Sequence, residues 1–382
     1  MKERDNLHFN FRTIDGYNKQ INIVISAREA AKSTAFNLDK AYAAWKKDRI
    51  TTLYLVRQIV EISDALILSI QDNILNKFTD DNVKFWYSKN AMRDGITDIY
   101  ILTKHKEKRI EKDKDGKDVE IEYEAEQKEL YMRILAVSIS SRRIKQSLLK
   151  NVGFIVFDEF IVNGRNGEKY LKNETLKIAE IYTTYVREKS EGKQLKMYFL
   201  GNPYSLANPV FNWLGIDTNK LKFGECYVGK NFVVQWYALS EGLKAKILAE
   251  NPLYEFDEFY RSYAFDGKPV LDKNIKIVTQ LPQHYNLKFV FKINFQFIGI
   301  YQNNYWEDKE DRYYCQFISS SDFSKRRTAY CFDFDELMNR CALISRDDLI
   351  KFSKFKAAMR KRDVAFSCVD CYYLVEEIYF NL

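Results

Sequence analysis

The chain has 382 residues, 46% of them apolar and 30% charged, and its 60 basic against 53 acidic side chains give a formal charge of +7. At roughly 100 to 200 residues per domain this length suggests two domains, and the even spread of apolar residues excludes bulk disorder and low-complexity classes. No apolar run approaches the roughly 18 to 20 residues of a membrane helix, and the N-terminus Met1-Lys2-Glu3-Arg4-Asp5 is charged where a signal peptide is apolar, so a soluble, unexported protein with six reduced cysteines and no membrane contact is expected.

In chain order, the first apolar run is Ile21–Ser26, followed by Ala35, Leu38, Ala41, Tyr42 and Trp45 at helical spacing, then Thr51–Val56, then Leu66, Ile70 and Leu75 on a second helix. Further apolar runs cover 100–103, 134–139, 154–157 and 196–200. Short buried strands alternating with helices predict an α/β fold with a mainly parallel sheet covered on both faces. The charge-dense segment 104–123 around Asp115-Gly116 reads as an exposed β-hairpin. All five prolines lie between Pro203 and Pro282, which places a domain junction there. The expected division is a first domain over 1–204, a connecting region with its own helix over 205–284, and a smaller second domain over 285–382. The latter opens with the aromatic and β-branched stretch 287–301, continues through a polar turn at 302–311 and a strand at 313–318, and carries a helix pattern at 347–362.

In an open parallel sheet, ligands bind beyond the carboxyl ends of the strands. The first strand runs into Ser26-Ala27-Arg28-Glu29-Ala30-Ala31-Lys32-Ser33-Thr34 and then a helix, the layout of a phosphate-binding P-loop. An ordinary strand-to-helix turn has the same outline, and glycines are missing where Ser26 and Ala31 stand. The spacing still allows the Lys32 ammonium to reach the outer phosphates of a nucleotide and the Ser33 hydroxyl to reach Mg²⁺. The run Phe154-Ile155-Val156-Phe157 ends in Asp158-Glu159, the form of a Walker B strand. In that form Asp158 holds Mg²⁺ and Glu159 polarises the attacking water; a carboxylate pair at a strand end is also a common cap. A third strand ends in Gly201-Asn202-Pro203, which puts an amide where nucleotide-hydrolysing sheets sense the γ-phosphate. The order of these three strand ends favours ATP and Mg²⁺ as cofactors.

These segments, Ile21 through Thr34, Val152 through Phe160 and Leu200 through Val210 with its two Asn-Pro pairs, resemble the DNA-packaging ATPases of small short-tailed phages with protein-primed genomes, relatives of the large terminases. The resemblance covers most of residues 20–215 and rests on hydrophobic patterning alone beyond them. It implies an additional-strand, catalytic-glutamate (ASCE) P-loop ATPase that assembles as a homo-oligomeric ring, a pentamer in such phages, on the portal of the prohead. Such a ring drives double-stranded DNA inward, in some cases with a packaging RNA, and acts in the host cytoplasm and transiently on the prohead. It further implies that Arg187 is an arginine finger, that Lys145 is a second cation supplied to a neighbouring subunit, and that Arg57, closing the second strand, contacts nucleotide. The first two are equally the charges of an exposed helix, and Arg57 has a similar alternative as a charge without a role in the site.

Terminases pair this motor with an RNase H-type nuclease, which needs carboxylates converging on two metal ions, one of them on the first strand. The stretch 288–301 contains no acid, leaving Glu307, Asp308, Asp322, Asp333, Asp335 and Asp370 elsewhere. A vestigial RNase H-like C-terminal α/β domain without nuclease activity is therefore expected. There the cluster Lys351, Lys354, Lys356, Arg360, Lys361 and Arg362, with Lys325-Arg326-Arg327 nearby, is either a solvated helix face or a contact to the DNA backbone. Cys368-Val369-Asp370-Cys371 lacks a matching second ligand pair for zinc and reads as core cysteines. Two other functions share these features: a helicase or recombination ATPase on the same core, and a nucleotide-free structural protein that binds DNA or the portal.

Overall fold

The structure, a computed structural model, describes residues 8–78, 81, 83–112, 118–146, 148–149, 151–163, 168–188, 194–206, 208–251, 254, 256, 258–269, 275–293, 296–305, 311–319, 321–322, 328–332, 337 and 340–382. The chain divides into two compact units, Met1–Tyr204 with Asn219–Val270, and Ser205–Thr218 with Leu271–Leu382. No helix among the described residues is long and apolar enough to cross a membrane, and all six cysteines are free thiols.

The first unit is built on β1 (Ile21–Ser26), β2 (Thr51–Val56), β3 (Phe85–Tyr87), β4 (Ile96–Lys112), β5 (Asp118–Ala136), β6 (Val152–Asp158), β7 (Lys196–Gly201), β8 (Cys226–Val228) and β9 (Phe232–Tyr237). They form one sheet in the order β3-β4-β5-β2-β6-β7-β1-β9-β8. The six central strands β5-β2-β6-β7-β1-β9 are parallel, and antiparallel pairs flank them at both edges. Strands buried on both faces read as continuous apolar runs, which is why β1, β2, β6 and β7 stand out in the sequence. The strand β7 lies between β1 and β6, so the additional strand of the expected ATPase fold separates the loop-bearing strand from the carboxylate-bearing one.

One face of the sheet is covered by a helical segment that starts as an α-helix at Lys32–Ala35, passes through a π-helical stretch at Phe36–Tyr42 and ends as an α-helix at Ala43–Asp48. Phe36 packs edge-on against Phe154 of β6 and tilts against Tyr198 of β7, with ring centroids 6.4 and 5.3 Å away. The residues that begin this helix are thereby held over the ends of the same two strands. The helix Asp64–Lys77 buries Ile67, Ile70 and Ile74 rather than the expected Leu66, Ile70 and Leu75, since a spacing of three and four holds one stripe inward. The hairpin is longer than expected, running from Ile96 to Ala136 with Lys112 opposite Asp118, and its turn residues, including Asp115-Gly116, lie outside the described residues.

Residues 205–284 do not form a single connecting region. β9 pairs with β1 throughout and β8 pairs with β9, so this part belongs to the main sheet, while Ser205–Thr218 groups with the second unit. The physical reason is the apolar run Phe-Val-Val-Gln-Trp-Tyr at Phe232–Tyr237, whose Val233 and Val234 are fully buried; prolines on either side marked loops, not a domain border.

The second unit contains β10 (Tyr285–Ile293), β11 (Gln296–Asn303), β12 (Tyr313–Ile318), β13 (Ala329–Cys331), β14 (Cys341–Leu343) and β15 (Val364–Phe366), in the order β14-β13-β10-β11-β12-β15. β10, β11 and β12 are an antiparallel meander, and β13 and β14 add in parallel beside β10, the strand order and directions of an RNase H-like sheet. The stretch expected as one strand is two, because β10 and β11 fold back on each other with Ile293 opposite Gln296. The helices Arg346–Lys361 and Val369–Asn381 supply Phe352, Phe355, Leu374, Val375 and Ile378 to its core.

Candidate active site

The register of the parallel strands brings the three expected strand ends together: Ile25 lies opposite Gly201, and Asp158 opposite Leu200. Beyond β1, the chain makes a 3₁₀ turn at Arg28–Ala30, closed by the Ala30 amide donating to the Ala27 carbonyl at 3.2 Å. Ala31 then takes the left-handed conformation, φ 55° and ψ 38°, and the helix starts at Lys32. The site where a P-loop carries glycine therefore keeps glycine-like backbone angles with an alanine in place, at a cost on the order of 1 to 2 kcal/mol. The surroundings hold the turn, since the Phe9 amide donates to the Ala30 carbonyl at 3.1 Å and the Tyr254 hydroxyl donates to the Glu29 carboxylate. Arg28 is exposed, Ser33 and Thr34 are half-buried, and Ser26 is buried with its hydroxyl donating to the Ala27 carbonyl. The first-turn amides of a helix have no partner within the helix, so this end is suited to an anion.

Lys32 is 5% exposed, and its ammonium donates to the Asn202 side-chain carbonyl at 2.6 Å. Burial lowers its pKa to about 8, against the pull of Asp158 and Glu159, which favour the charged form; Arg28 adds to the lowering. The loop lysine and the residue after β7 are thus in direct contact.

Asp158 accepts a hydrogen bond from the Tyr54 hydroxyl on Oδ2 at 2.7 Å and one from the Glu159 amide on Oδ1 at 3.0 Å. Burial, followed by the charge on Asp158, raises the Tyr54 pKa well above its ordinary value, so the phenol stays a donor. Glu159 sits at φ 54°, and immediately after this kink the Phe160 amide returns to β7 through the Leu200 carbonyl at 3.2 Å. Gly201 makes room for that return, because a Cβ there would come within 2.7 Å of the Phe160 ring. Burial raises the Glu159 pKa, as does Asp158, while Lys32 opposes them. A carboxylate moved toward neutrality in this way is a better general base.

Arg57 is buried, and its guanidinium is bonded to Glu174 through Nε at 2.8 Å and Nη2 at 3.2 Å, to the Glu159 carbonyl at 3.2 Å and to the Phe160 carbonyl at 2.9 Å. It therefore braces the backbone that carries Glu159. Glu174, 2% exposed at the start of the helix Glu174–Glu188, went unnoticed in the sequence, as did Tyr54. A phenol within the apolar run 53–56 was the available signal for Tyr54, since buried phenols generally find partners. Arg187 is exposed in the last turn of the same helix, apart from this cluster of bonds. Lys145 lies on the helix Ser141–Gln146, and its side chain is outside the described residues.

In the second unit, the helix Arg346–Lys361 turns Phe352, Phe355 and Ala358 inward and leaves Lys351, Lys354, Arg360 and Lys361 exposed, with Arg362 as its left-handed cap. Lys351 pairs with Asp348 at 2.6 Å, Lys356 stands over the Tyr379 ring, and Arg360 donates to the Tyr379 hydroxyl at 3.2 Å. The cluster Lys325-Arg326-Arg327, the acids Glu307, Asp308, Asp333 and Asp335, and the Asp370 side chain are outside the described residues. Among the described residues, no three His, Cys, Asp or Glu side chains converge as a metal site would require.

No family model and no curated protein matches this sequence. Solved structures do match its fold. The bacteriophage phi29 viral genome packaging motor assembly aligns over 98% of this chain and 99% of its own with a TM-score of 0.64 at 18% identity. The phi28 DNA-packaging motor aligns over 98% of both chains with a TM-score of 0.63 at 16% identity. The chain has the fold of these packaging motors. Both alignments run through the first and second units, so the likeness extends well past the segment 20–215 that the sequence motifs mark.

Proposed function

We propose that the chain is an ATPase that drives double-stranded viral DNA into a prohead, working as a homo-oligomeric ring on the portal in the host cytoplasm. The observation that carries this reading is the meeting of Lys32, Asp158, Glu159 and Asn202 at the carboxyl ends of three adjacent parallel strands, β7 standing between β1 and β6. The packaging role draws support from the two motors that share the fold over nearly the whole chain.

In this reading the loop Ser26–Thr34 cradles the phosphates of ATP and Lys32 neutralises the outer ones. Ser33 and Asp158 offer Mg²⁺ the hard oxygen donors it prefers, one carboxylate beside substrate phosphates and water. When bound, the ion supplies charge neutralisation at the phosphate oxygens. Glu159 orients the attacking water and accepts its proton, Asn202 contacts the γ-phosphate, and Arg57 holds the Glu159 backbone in place. Arg187 and Lys145 complete the site of a neighbouring subunit. In the second unit β10 carries no acid where a nuclease holds its first metal ligand, so the unit binds DNA without cutting it. The test is ATP binding and hydrolysis with and without double-stranded DNA. Lys32→Ala is expected to abolish binding with the fold intact, and Glu159→Gln to keep binding while turnover falls by about a hundredfold or more. Normal ATP binding by Lys32→Ala would overturn the P-loop reading and place the nucleotide elsewhere, whereas a parent chain that binds no ATP would leave a structural DNA- or portal-binding protein.

A further inference from the structure

We propose that Tyr54 is a positioning residue that sets Asp158 for the divalent cation of the bound nucleotide, a role that rests on the ATPase reading of this site. β2 lies beside β6 with Tyr54 opposite Val156. Asp158 is two residues further along β6 and so shares the face of Val156, because side chains alternate along a strand. A diagonal neighbour at that offset lies beyond a short side chain and within reach of a long aromatic one. The Tyr54 hydroxyl closes the gap at 2.7 Å on Oδ2, and the Glu159 amide holds Oδ1 at 3.0 Å. One bond to each carboxylate oxygen fixes the Asp158 rotamer, and the lone pairs left over remain for the cation and its water.

Tyr54 is 4% exposed between the fully buried Leu53 and Leu55. Phenylalanine would fill this volume equally well. What the tyrosine adds is a donor aimed at the carboxylate, and it acts on the cation only through Asp158. Groups of this kind behind a metal ligand typically change metal affinity by about 10 to 100-fold.

The test uses the full chain with Tyr54→Phe and measures binding of a non-hydrolysable ATP analogue, first in EDTA and then over a Mg²⁺ titration. The expected result is unchanged affinity in EDTA and a Mg²⁺ half-saturation raised about tenfold or more. In an Asp158→Asn background the same substitution should leave the Mg²⁺ requirement where Asp158→Asn alone puts it, since the route through Asp158 is gone. A Mg²⁺ requirement equal to that of the parent would overturn the proposal alone, and so would an equal loss of affinity in EDTA and in Mg²⁺, which marks a packing role. A parent chain that binds the analogue no better with Mg²⁺ than without would overturn the ATPase site as well.

Discussion

Lys32 carries the clearest residue-scale consequence. Its pKa falls from the ordinary 10.5 to about 8 because burial penalises the charged form, so the folded chain releases this proton more readily than the unfolded chain does. Between pH 8 and 10.5 the unfolded state binds more protons, so the lysine contributes a stability that rises with pH across this window; below it, the buried charge costs about 3 kcal/mol. Phosphate binding prefers the ammonium and acts in the opposite direction. ATP affinity should therefore hold below pH 8 and fall about tenfold by pH 9. Denaturant unfolding of the parent and Lys32→Met from pH 7 to 10 checks the first effect, as the parent-minus-variant difference should climb with pH; a flat difference would mean that Lys32 is hydrated. Lys32 could be singled out in the sequence only together with the endings of β6 and β7, because an ordinary strand-to-helix turn has the same outline as the loop before it. The left-handed Ala31 was not, because nothing local requires an alanine to adopt that conformation.

At the scale of elements, one buried ion pair ties the end of β2 to the start of a helix. Arg57 closes β2, Glu174 opens the helix Glu174–Glu188, and their side chains are 8% and 1% exposed. Removing one partner of such a pair strands the other charge, at a typical cost of about 3 to 5 kcal/mol. Glu174→Gln keeps the shape and loses the charge, so unfolding free energy should drop by about 3 kcal/mol. Turnover should fall together with it, because Arg57 also holds the Glu159 and Phe160 carbonyls. A loss below about 1 kcal/mol in denaturant unfolding would show that water compensates Arg57. The strands and the loop around this brace could be read from apolar runs and their endings. The brace itself joins residues 117 positions apart, and no local pattern specifies Glu174 as its partner. β9 escaped notice for a related reason: the prolines around it drew attention to loops, and only its pairing with β1 makes it part of the sheet.

At the scale of the whole chain, a mainly parallel nine-stranded sheet and a mixed six-stranded sheet are joined in one polypeptide, and the two units call for different tests. The helix Arg346–Lys361 buries its phenylalanines and presents lysine and arginine outward, an arrangement that suits the sequence-independent backbone of duplex DNA. Each phosphate neutralised by such a side chain releases counterions and adds about −0.9 to the slope of log affinity against log salt. Replacing Lys354, Arg360 and Lys361 by alanine should flatten that slope by up to about three units, with the same effect on duplexes of unrelated sequence. Lys351 is the poorer choice, since Asp348 already neutralises it. ATP binding by the triple variant should equal that of the parent, because Lys32 and Asp158 belong to the first unit. Filter binding or fluorescence anisotropy from 50 to 300 mM salt decides the matter. An unchanged slope would return the basic cluster to a solvated helix face and move the search for the DNA contact to the first unit.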